Sequence, residues 1–103
     1  ICLDTGHANL QGIPMAEAVR RCGDRLIATH IDDNLGAADQ HWEPMRGAVD
    51  WPAGVAALRE IGYQGIFNLE IGPLRGRPIE AQLDWARSVC VTARWLLAGG
   101  GAT

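Results

Sequence analysis

The sequence contains no lysine, and its nine basic residues are all arginine against 12 acidic residues, which gives a formal net charge of −3. Proteins that bind nucleic acid through its phosphates carry the opposite balance. No apolar run approaches the roughly 20 residues of a membrane-spanning helix, and no signal-like segment opens the chain. The charge therefore disfavours nucleic-acid partners, and we expect a cytoplasmic protein without a membrane partner.

Cysteine is also scarce. Cys2, Cys22 and Cys90 lack C-x-x-C spacing, so the sequence predicts neither a disulfide framework nor a thiolate zinc site. We interpret them as small core residues. With 103 residues the chain has no room for a second full domain. Because it begins inside an apolar run, we expect it to be the back part of a longer polypeptide.

Short apolar runs alternate with helical patterns along the chain, which is typical of parallel βα units. Three such units fit, so we predict an α/β fold with three parallel strands. Such a sheet has two open edges and one uncovered face. The missing N-terminal part of the same polypeptide, or a second copy of the chain, would cover them. The predicted strands are residues 1–5, 25–31 and 65–71, and the predicted helices are residues 14–22, 51–61 and 78–98.

The last predicted helix carries apolar residues at alternating spacings of four and three, and we expect this stripe to face the core. Trp51, Trp85 and Trp95 lie in predicted helices and are interpreted as packing residues. The stripe comprises Ile79, Leu83, Ala86, Cys90, Ala93 and Leu97.

Each predicted strand ends in residues that can bind a metal or move a proton. Functional groups gather at the carboxyl ends of parallel strands. Asp4, His30 and Glu70 each lie at the end of a predicted strand, so we expect them at the same level of neighbouring strands. Two carboxylates and one imidazole suit Mn, Zn, Mg, Fe or Co. Glu70 is the sharpest clue, since an unpaired carboxylate in an apolar strand is costly. A metal would offset that cost, as would a salt bridge to Arg75 or Arg77.

The loop of residues 32–49 is longer than the roughly 12–15 residues beyond which a loop is usually functional or disordered. It contains the D-x-H pair Asp39 and His41. Together with His7, this pair predicts a second metal site or a substrate contact. The alternative is that His7 and His41 are ordinary surface or hydrogen-bonded histidines.

Four further residues of the same loop are candidates for local roles. Arg46 orients a substrate oxygen or phosphate, or else is solvated. Trp42 forms a wall of the site. Asp33 is interpreted as a turn former, and the role of Asp32 stays open.

In their order and strand placement, these motifs resemble the xylose isomerase-like TIM barrel family. That family includes sugar-phosphate isomerases and epimerases and the endonuclease IV type of apurinic endonuclease. The resemblance covers nearly the whole chain. It rests on Leu3-Asp4-Thr5-Gly6-His7-Ala8-Asn9, His30-Ile31-Asp32-Asp33-Asn34, Asp39-Gln40-His41, Val49-Asp50-Trp51, Gly62-Tyr63-Gln64-Gly65 and Leu69-Glu70.

The resemblance implies that residues 1–103 are the C-terminal fragment of such a domain and form the last three βα units of an eight-unit barrel. It makes Asp4, His30 and Glu70 three of four ligands to a catalytic divalent ion, the fourth being a glutamate outside this chain. In the isomerase branch the position of His7 contacts substrate or supports the site. In the endonuclease branch the positions of His7, Asp39 and His41 bind further zinc ions.

One departure from the family pattern is visible. Many relatives carry glycine after the loop proline, where this chain has Met45. The difference bears on the conformation of the loop and leaves the ligand positions unaffected.

Our first hypothesis is a divalent-metal-dependent isomerase or epimerase acting on a small sugar or hydroxy-carbonyl compound. The metal (Mn, Zn, Mg or Co) would polarise the carbonyl and stabilise an enediolate, while Glu70 moves the proton and His7 assists. The second is an endonuclease IV-like multi-zinc phosphodiesterase acting on apurinic DNA, which the charge opposes. The third is a non-catalytic, incomplete segment, since we expect the isolated chain to be inactive.

Overall fold

A computed structural model describes residues 1–102 as an α/β arrangement built on a parallel pair of strands. Strands β1 and β2 pair with Cys2 opposite Ala28 and Asp4 opposite His30. Among residues 1–102, no helix has both the length and the apolar character that crossing a membrane requires. In chain order the elements are β1 (Cys2–Asp4), α1 (Thr5–Leu10), α2 (Met15–Cys22), a 3₁₀ turn (Gly23–Arg25), β2 (Ala28–His30), α3 (Trp51–Glu60) and α4 (Ile79–Leu97).

The prediction of a third strand at residues 65–71 is correct in its parallel direction and wrong in its length. A single parallel bridge joins Leu69 to Ile31. The Ile31 amide donates to the Asn68 carbonyl at 2.7 Å, and the Glu70 amide donates to the Ile31 carbonyl at 2.9 Å. No strand within residues 1–102 pairs with the other side of this segment. One bridge is too short a ladder to make a strand, so residues 68–70 lie beside β2 without continuing the sheet.

The first two strands are also shorter than predicted. β1 ends at Asp4 because its carboxylate accepts a hydrogen bond from the His7 amide at 2.9 Å and caps a short helix, α1, that the sequence analysis missed. Thr5 is therefore helical. Residues 25–27 precede β2 because a 3₁₀ turn still occupies Arg25.

The core forms where α2 packs on α3 and on β1, and where α4 packs on α3. Pro14 and Asp50 precede the two helices, and the Asp50 carboxylate accepts from the Ala53 amide at 3.2 Å. The buried side of α3 comprises Trp51, Val55 and Leu58. The principal buried side chains are Met15, Val19, Leu26, Ile31, Val49, Trp51, Val55, Leu58 and Leu96.

The predicted core stripe of α4 is wrong except at Ala93. Ile79 is 62% exposed and Leu83 48%, and Ala86, Cys90 and Leu97 are exposed as well. The buried residues are instead Val89, Ala93 and Leu96. The helix carries two apolar stripes, and periodicity alone does not say which of them meets α3 and the core.

Two other burial predictions also fail. Cys2 and Cys90 are exposed and are not core residues, whereas Cys22 is half-buried and packs against the core. Trp95 is 47% exposed, whereas Trp51 is fully buried as expected of a packing residue.

Asp33 holds the long loop to the rest of the chain. Its buried carboxylate accepts four hydrogen bonds, from the amides of Asn34, Gly47 and Val49 and from the Trp51 indole at 2.7 Å. Its backbone forms an antiparallel bridge with Trp42. The structural interpretation of Asp33 agrees with these contacts, although the residue organises a whole loop and not a single turn.

Replacing Asp33 with Asn should lower the free energy of unfolding by about 3 kcal/mol. Each carboxylate oxygen accepts two of the four bonds, so either amide orientation turns an NH₂ group toward two N–H donors. Thermal unfolding measures the effect. Asp24→Asn, at an exposed position, is the matched control and should change little. An equal, small effect of both substitutions would contradict this role for Asp33.

The departure at Met45 has a structural consequence. The Arg46 amide donates to the Glu43 carbonyl at 3.3 Å, which closes a turn, and Met45 occupies it with a φ of 79°. A turn with proline followed by a positive φ favours glycine at the second central position. We predict that Met45→Gly stabilises the protein by about 0.5–1 kcal/mol, as measured by thermal unfolding. Met15→Gly, in the core, should destabilise it; a loss of stability with Met45→Gly would show that no strain is relieved.

Candidate metal centre

Parallel pairing brings three predicted ligands together at one end of the sheet. Asp4 lies opposite His30 in the β1–β2 register, and Glu70 follows the bridge that joins Leu69 to Ile31. Asp4, His30 and Glu70 each offer a ligand atom, and these atoms lie within 4.8 Å of one another. The His30 Nδ1 to Glu70 Oε2 distance is 3.0 Å. We call these three residues the primary cluster.

The burial of the primary cluster differs from the expectation. Glu70 was predicted to be a buried carboxylate, but its side chain is 46% exposed, as is that of His30, whereas Asp4 is 16% exposed. The prediction is wrong because the segment of Glu70 pairs with β2 by one bridge and is not enclosed in a strand. Within residues 1–102, Glu70 pairs with His30 and forms no salt bridge with Arg75 or Arg77.

His7 lies beside the primary cluster on α1. Its Nδ1 is 3.4 Å from Asp4 Oδ2, and its Nε2 is 3.2 Å from Asp39 Oδ2. The hydrogen bond to Asp39 and the negative charge of Asp4 raise the pKa of His7. The structure thus brings His7 and Asp39 together, as the sequence analysis expected, and connects them to Asp4.

His41 is held by contacts on both of its ring nitrogens. Nδ1 lies 3.0 Å from the Glu70 carbonyl oxygen, which can only accept, so Nδ1 donates. Nε2 lies 3.2 Å from Asp39 Oδ2. The hydrogen bond to the Glu70 carbonyl is the main cause of a raised pKa of His41. With Nδ1 donating, Nε2 can face a carboxylate oxygen only as a second N–H donor or with a cation between them.

Asp32 is a residue whose importance the sequence analysis did not recognise. Its side chain is fully buried, and neither carboxylate oxygen has a hydrogen-bond partner within residues 1–102. Burial, and next the charge of Asp4, raise the pKa of Asp32 to about 7. Asp32, Asp39 and His41 offer ligand atoms within 4.8 Å of one another, and we call them the loop cluster.

Sequence offered only a weak signal for Asp32. Asp32 and Asp33 are adjacent and identical in type, and both follow β2. The distinguishing feature is spatial, since a Cβ on Gly6 would lie 1.6 Å from Asp32 Oδ1. Only glycine at position 6 leaves room for this carboxylate.

Arg46 and Trp42 lie outside both clusters. The Arg46 guanidinium stacks over the Trp42 ring at 4.5 Å and lies 3.6 Å from Glu43 Oε2. Arg46 also lines a cavity of about 240 Å³ with Trp85 and Ser88 of α4, and that cavity contains no residue of the primary cluster. The structure therefore does not bring Arg46 into the hydrogen-bond network of the candidate ligands.

A comparison with known protein families tests the predicted resemblance. A model of the xylose isomerase-like TIM barrel family matches residues 1–89. The chain belongs to this family. The predicted resemblance is therefore confirmed.

Two of the relatives that the chain matches are named as an epimerase and an isomerase. The chain is 34% identical over 83 residues to the D-psicose 3-epimerase of Enterocloster bolteae, covering 81% of this chain and 26% of that protein. It is 30% identical over 78 residues to the inosose isomerase of Bacillus subtilis, covering 69% of this chain and 28% of that protein. The crystal structure of a D-tagatose 3-epimerase-like protein matches with a TM-score of 0.66 and 26% identity, over 91% of this chain and 35% of that one.

This chain is short for its family. It spans 22–28% of the length of the curated relatives that it matches. Its α/β fold is nonetheless similar to that of the TIM-barrel epimerases.

Members of this family commonly bind a divalent metal, and the primary cluster is compatible with one. It supplies two carboxylates and one imidazole within 4.8 Å, with no arginine paired to them in residues 1–102. Ligand atoms about 2.0–2.2 Å from an ion lie roughly 3–4 Å apart, so small side-chain rotations would be enough. The donor set suits Mn, Zn, Mg or Co.

Without a metal, Asp32 should make stability depend on pH. Its pKa is about 7 in the folded chain against 3.8 in the reference state. Between these values the folded state binds more protons, so the free energy of unfolding falls as pH rises, by at most about 1.4 kcal/mol per pH unit. Asp32→Asn should abolish this loss. Unfolding with EDTA from pH 4 to pH 8 should show a growing advantage for the variant.

The control is Asp24→Asn, whose difference from the unsubstituted protein should stay flat over the same range. A constant difference for Asp32→Asn as well would mean that Asp32 is ionised in the folded protein throughout.

Proposed function

We propose that this chain forms the last three βα units of an eight-unit barrel that epimerises or isomerises small sugars or related hydroxy-carbonyl compounds. The relatives named as sugar epimerases and isomerases support the reaction class. The strand direction supports the placement, since β1, β2 and the segment of Glu70 run parallel and adjacent. The chain also covers 35% of a matching structure, close to the share that three of eight units would make.

The observation that carries the proposal is the primary cluster. Asp4, His30 and Glu70 would hold a divalent ion (Mn, Zn, Mg or Co), with a fourth ligand, a glutamate, on the preceding strand of the barrel. When bound, such an ion polarises the oxygens of a carbonyl and its neighbouring hydroxyl. The missing N-terminal part of the barrel, or a second copy of this chain, would complete the site.

Glu70 is the proposed proton carrier. Its side chain is 46% exposed, so a substrate can reach it, and its Oε2 lies 3.0 Å from His30 Nδ1, which orients the carboxylate. In this role Glu70 removes the proton from the carbon next to the carbonyl on one face of the substrate. A carboxylate on the preceding strand would serve the opposite face.

His7 is the proposed partner of the substrate oxygen. Its ring is 62% exposed and lies between Asp4 and Asp39, whose carboxylates favour the protonated form. In this role the Nε2–H of a protonated His7 would donate to a substrate hydroxyl in place of Asp39, while Nδ1 stays directed at Asp4. Trp42 and Arg46, which stack on each other, are proposed to contact substrate from the loop side.

Replacing Glu70 with Gln in the complete barrel protein should lower turnover of a ketohexose such as D-psicose by at least about 100-fold, because the proton acceptor is lost. Exchange of the substrate carbon-bound hydrogen with D₂O, followed by NMR, measures the step directly. Glu80→Gln, in the exposed first turn of α4, is the control and should exchange at the normal rate. Normal exchange in Glu70→Gln would exclude Glu70 as the proton carrier.

A second candidate function is an endonuclease IV-like zinc phosphodiesterase acting on apurinic DNA. It is favoured by one observation, that Asp39 Oδ2 lies 3.2 Å from Nε2 of both His7 and His41. The net charge of −3 opposes it, because DNA binding relies on basic surface. Zinc-dependent cleavage of an abasic oligonucleotide by the complete protein, with no epimerase activity, would favour this alternative.

The isolated 103 residues are proposed to be inactive, since the fourth ligand and the opposite-face carboxylate lie elsewhere. Turnover together with stoichiometric binding of Mn²⁺ by the isolated chain would contradict this.

A further inference from the structure

Asn34 is a buried amide to which the proposed function gives no role. Its side chain is 0% exposed, and a buried amide requires partners for both its NH₂ group and its oxygen. Nδ2 donates to the Gly6 carbonyl at 3.0 Å. Oδ1 accepts from Asn9 Nδ2 at 2.7 Å and from the Gly36 amide at 2.9 Å. Asn34 therefore joins α1 to the start of the long loop.

The contacts with α1 lie on both sides of His7. Gly6 precedes His7 in the helix and Asn9 follows it, and Asn9 Nδ2 also donates to the Asn34 backbone carbonyl at 3.2 Å. A Cβ on Gly6 would lie 3.2 Å from Asn34 Nδ2, so the helix backbone packs closely on the amide. A helix of six residues is too short to be stable by itself, so the place of α1 depends on such tertiary contacts.

Asn34 also fixes the loop that carries Asp39. Its backbone carbonyl accepts from the Ala48 amide at 2.8 Å, near the far end of the loop. The Leu35 amide, next along the chain, donates to Gln40 Oε1 at 3.2 Å, and Gln40 is adjacent to Asp39. One residue thus sets where α1 lies relative to the part of the loop that faces it.

We propose that Asn34 is a positioning residue for His7, because it holds α1 at the separation from the loop at which His7 Nε2 lies 3.2 Å from Asp39 Oδ2. The His7 ring is 62% exposed, so packing around the ring fixes it little and its position follows that of α1. Asn34 is fully buried and acts only through His7. This inference rests on the role of His7 in the proposed function.

The first test is amide hydrogen exchange in the complete barrel protein. Asn34→Asp keeps the shape and the Oδ1 acceptor, but it places an oxygen opposite the Gly6 carbonyl. Exchange within α1 should become at least about 10-fold faster, while exchange within α3 stays unchanged. Asn9→Ala, at a half-buried position, removes the other contact without adding a charge and should give the same result if Asn34→Asp fails to fold.

The second test separates positioning from a merely structural role. Asn34→Asp should lower kcat for D-psicose by about 10- to 100-fold, because a displaced His7 no longer meets the substrate hydroxyl. In a His7→Ala background the same substitution should cause no further loss, since the side chain through which Asn34 acts is already absent. Gln64→Glu, an amide-to-acid exchange at an exposed position, is the matched control and should leave exchange and turnover unchanged.

Normal exchange within α1 in both Asn34→Asp and Asn9→Ala would overturn the inference. An equal loss of turnover with and without His7 would overturn it as well. An unsubstituted protein that turns over no ketohexose would instead reject the proposed function, and the exchange rates would still decide whether Asn34 holds α1 in place.

Discussion

The Asp33 carboxylate is the constraint on which the candidate site depends. Its four hydrogen bonds tie the end of β2 to Gly47 and Val49 at the far end of the loop, and to Trp51 at the start of α3. One buried carboxylate therefore holds both ends of the loop. Its middle then returns across the carboxyl ends of the strands, where Asp39 contacts His7 of α1 and His41 contacts the Glu70 carbonyl.

The neighbouring carboxylates of Asp32 and Asp33 show how one residue type serves opposite purposes. Both are fully buried. Asp33 accepts hydrogen bonds from four donors and contributes to stability, whereas the Asp32 carboxylate has no hydrogen-bond partner within residues 1–102, which is unfavourable. The stability that Asp33 supplies offsets part of the cost of burying the Asp32 carboxylate beside it.

Much of the candidate site could be predicted from sequence, because it depends on short-range rules. Parallel strands end at one edge of a sheet, so Asp4, His30 and Glu70 were expected to meet, and they do. Properties set by tertiary packing were not predictable. Helix α4 carries two periodic apolar stripes, and periodicity does not say which one is buried. The packing of α4 on α3 decides that Val89 is buried and Leu83 is exposed. The apolar pattern of residues 65–71 predicts a strand, but it does not show which strands lie on either side of the segment. Glu70 was therefore wrongly expected to be buried.

The position of Glu70 rests on Thr29 as much as on the backbone ladder. Only one bridge joins the segment of Glu70 to β2, but the buried Thr29 hydroxyl donates to the Ile66 carbonyl at 2.8 Å and accepts from the Asn68 amide at 3.3 Å. This side chain replaces ladder bonds that a regular strand would form. Glu70 then contributes its carboxylate to the primary cluster and its carbonyl to His41. Because one short segment fixes both contacts, any movement of it changes the geometry of the two clusters together.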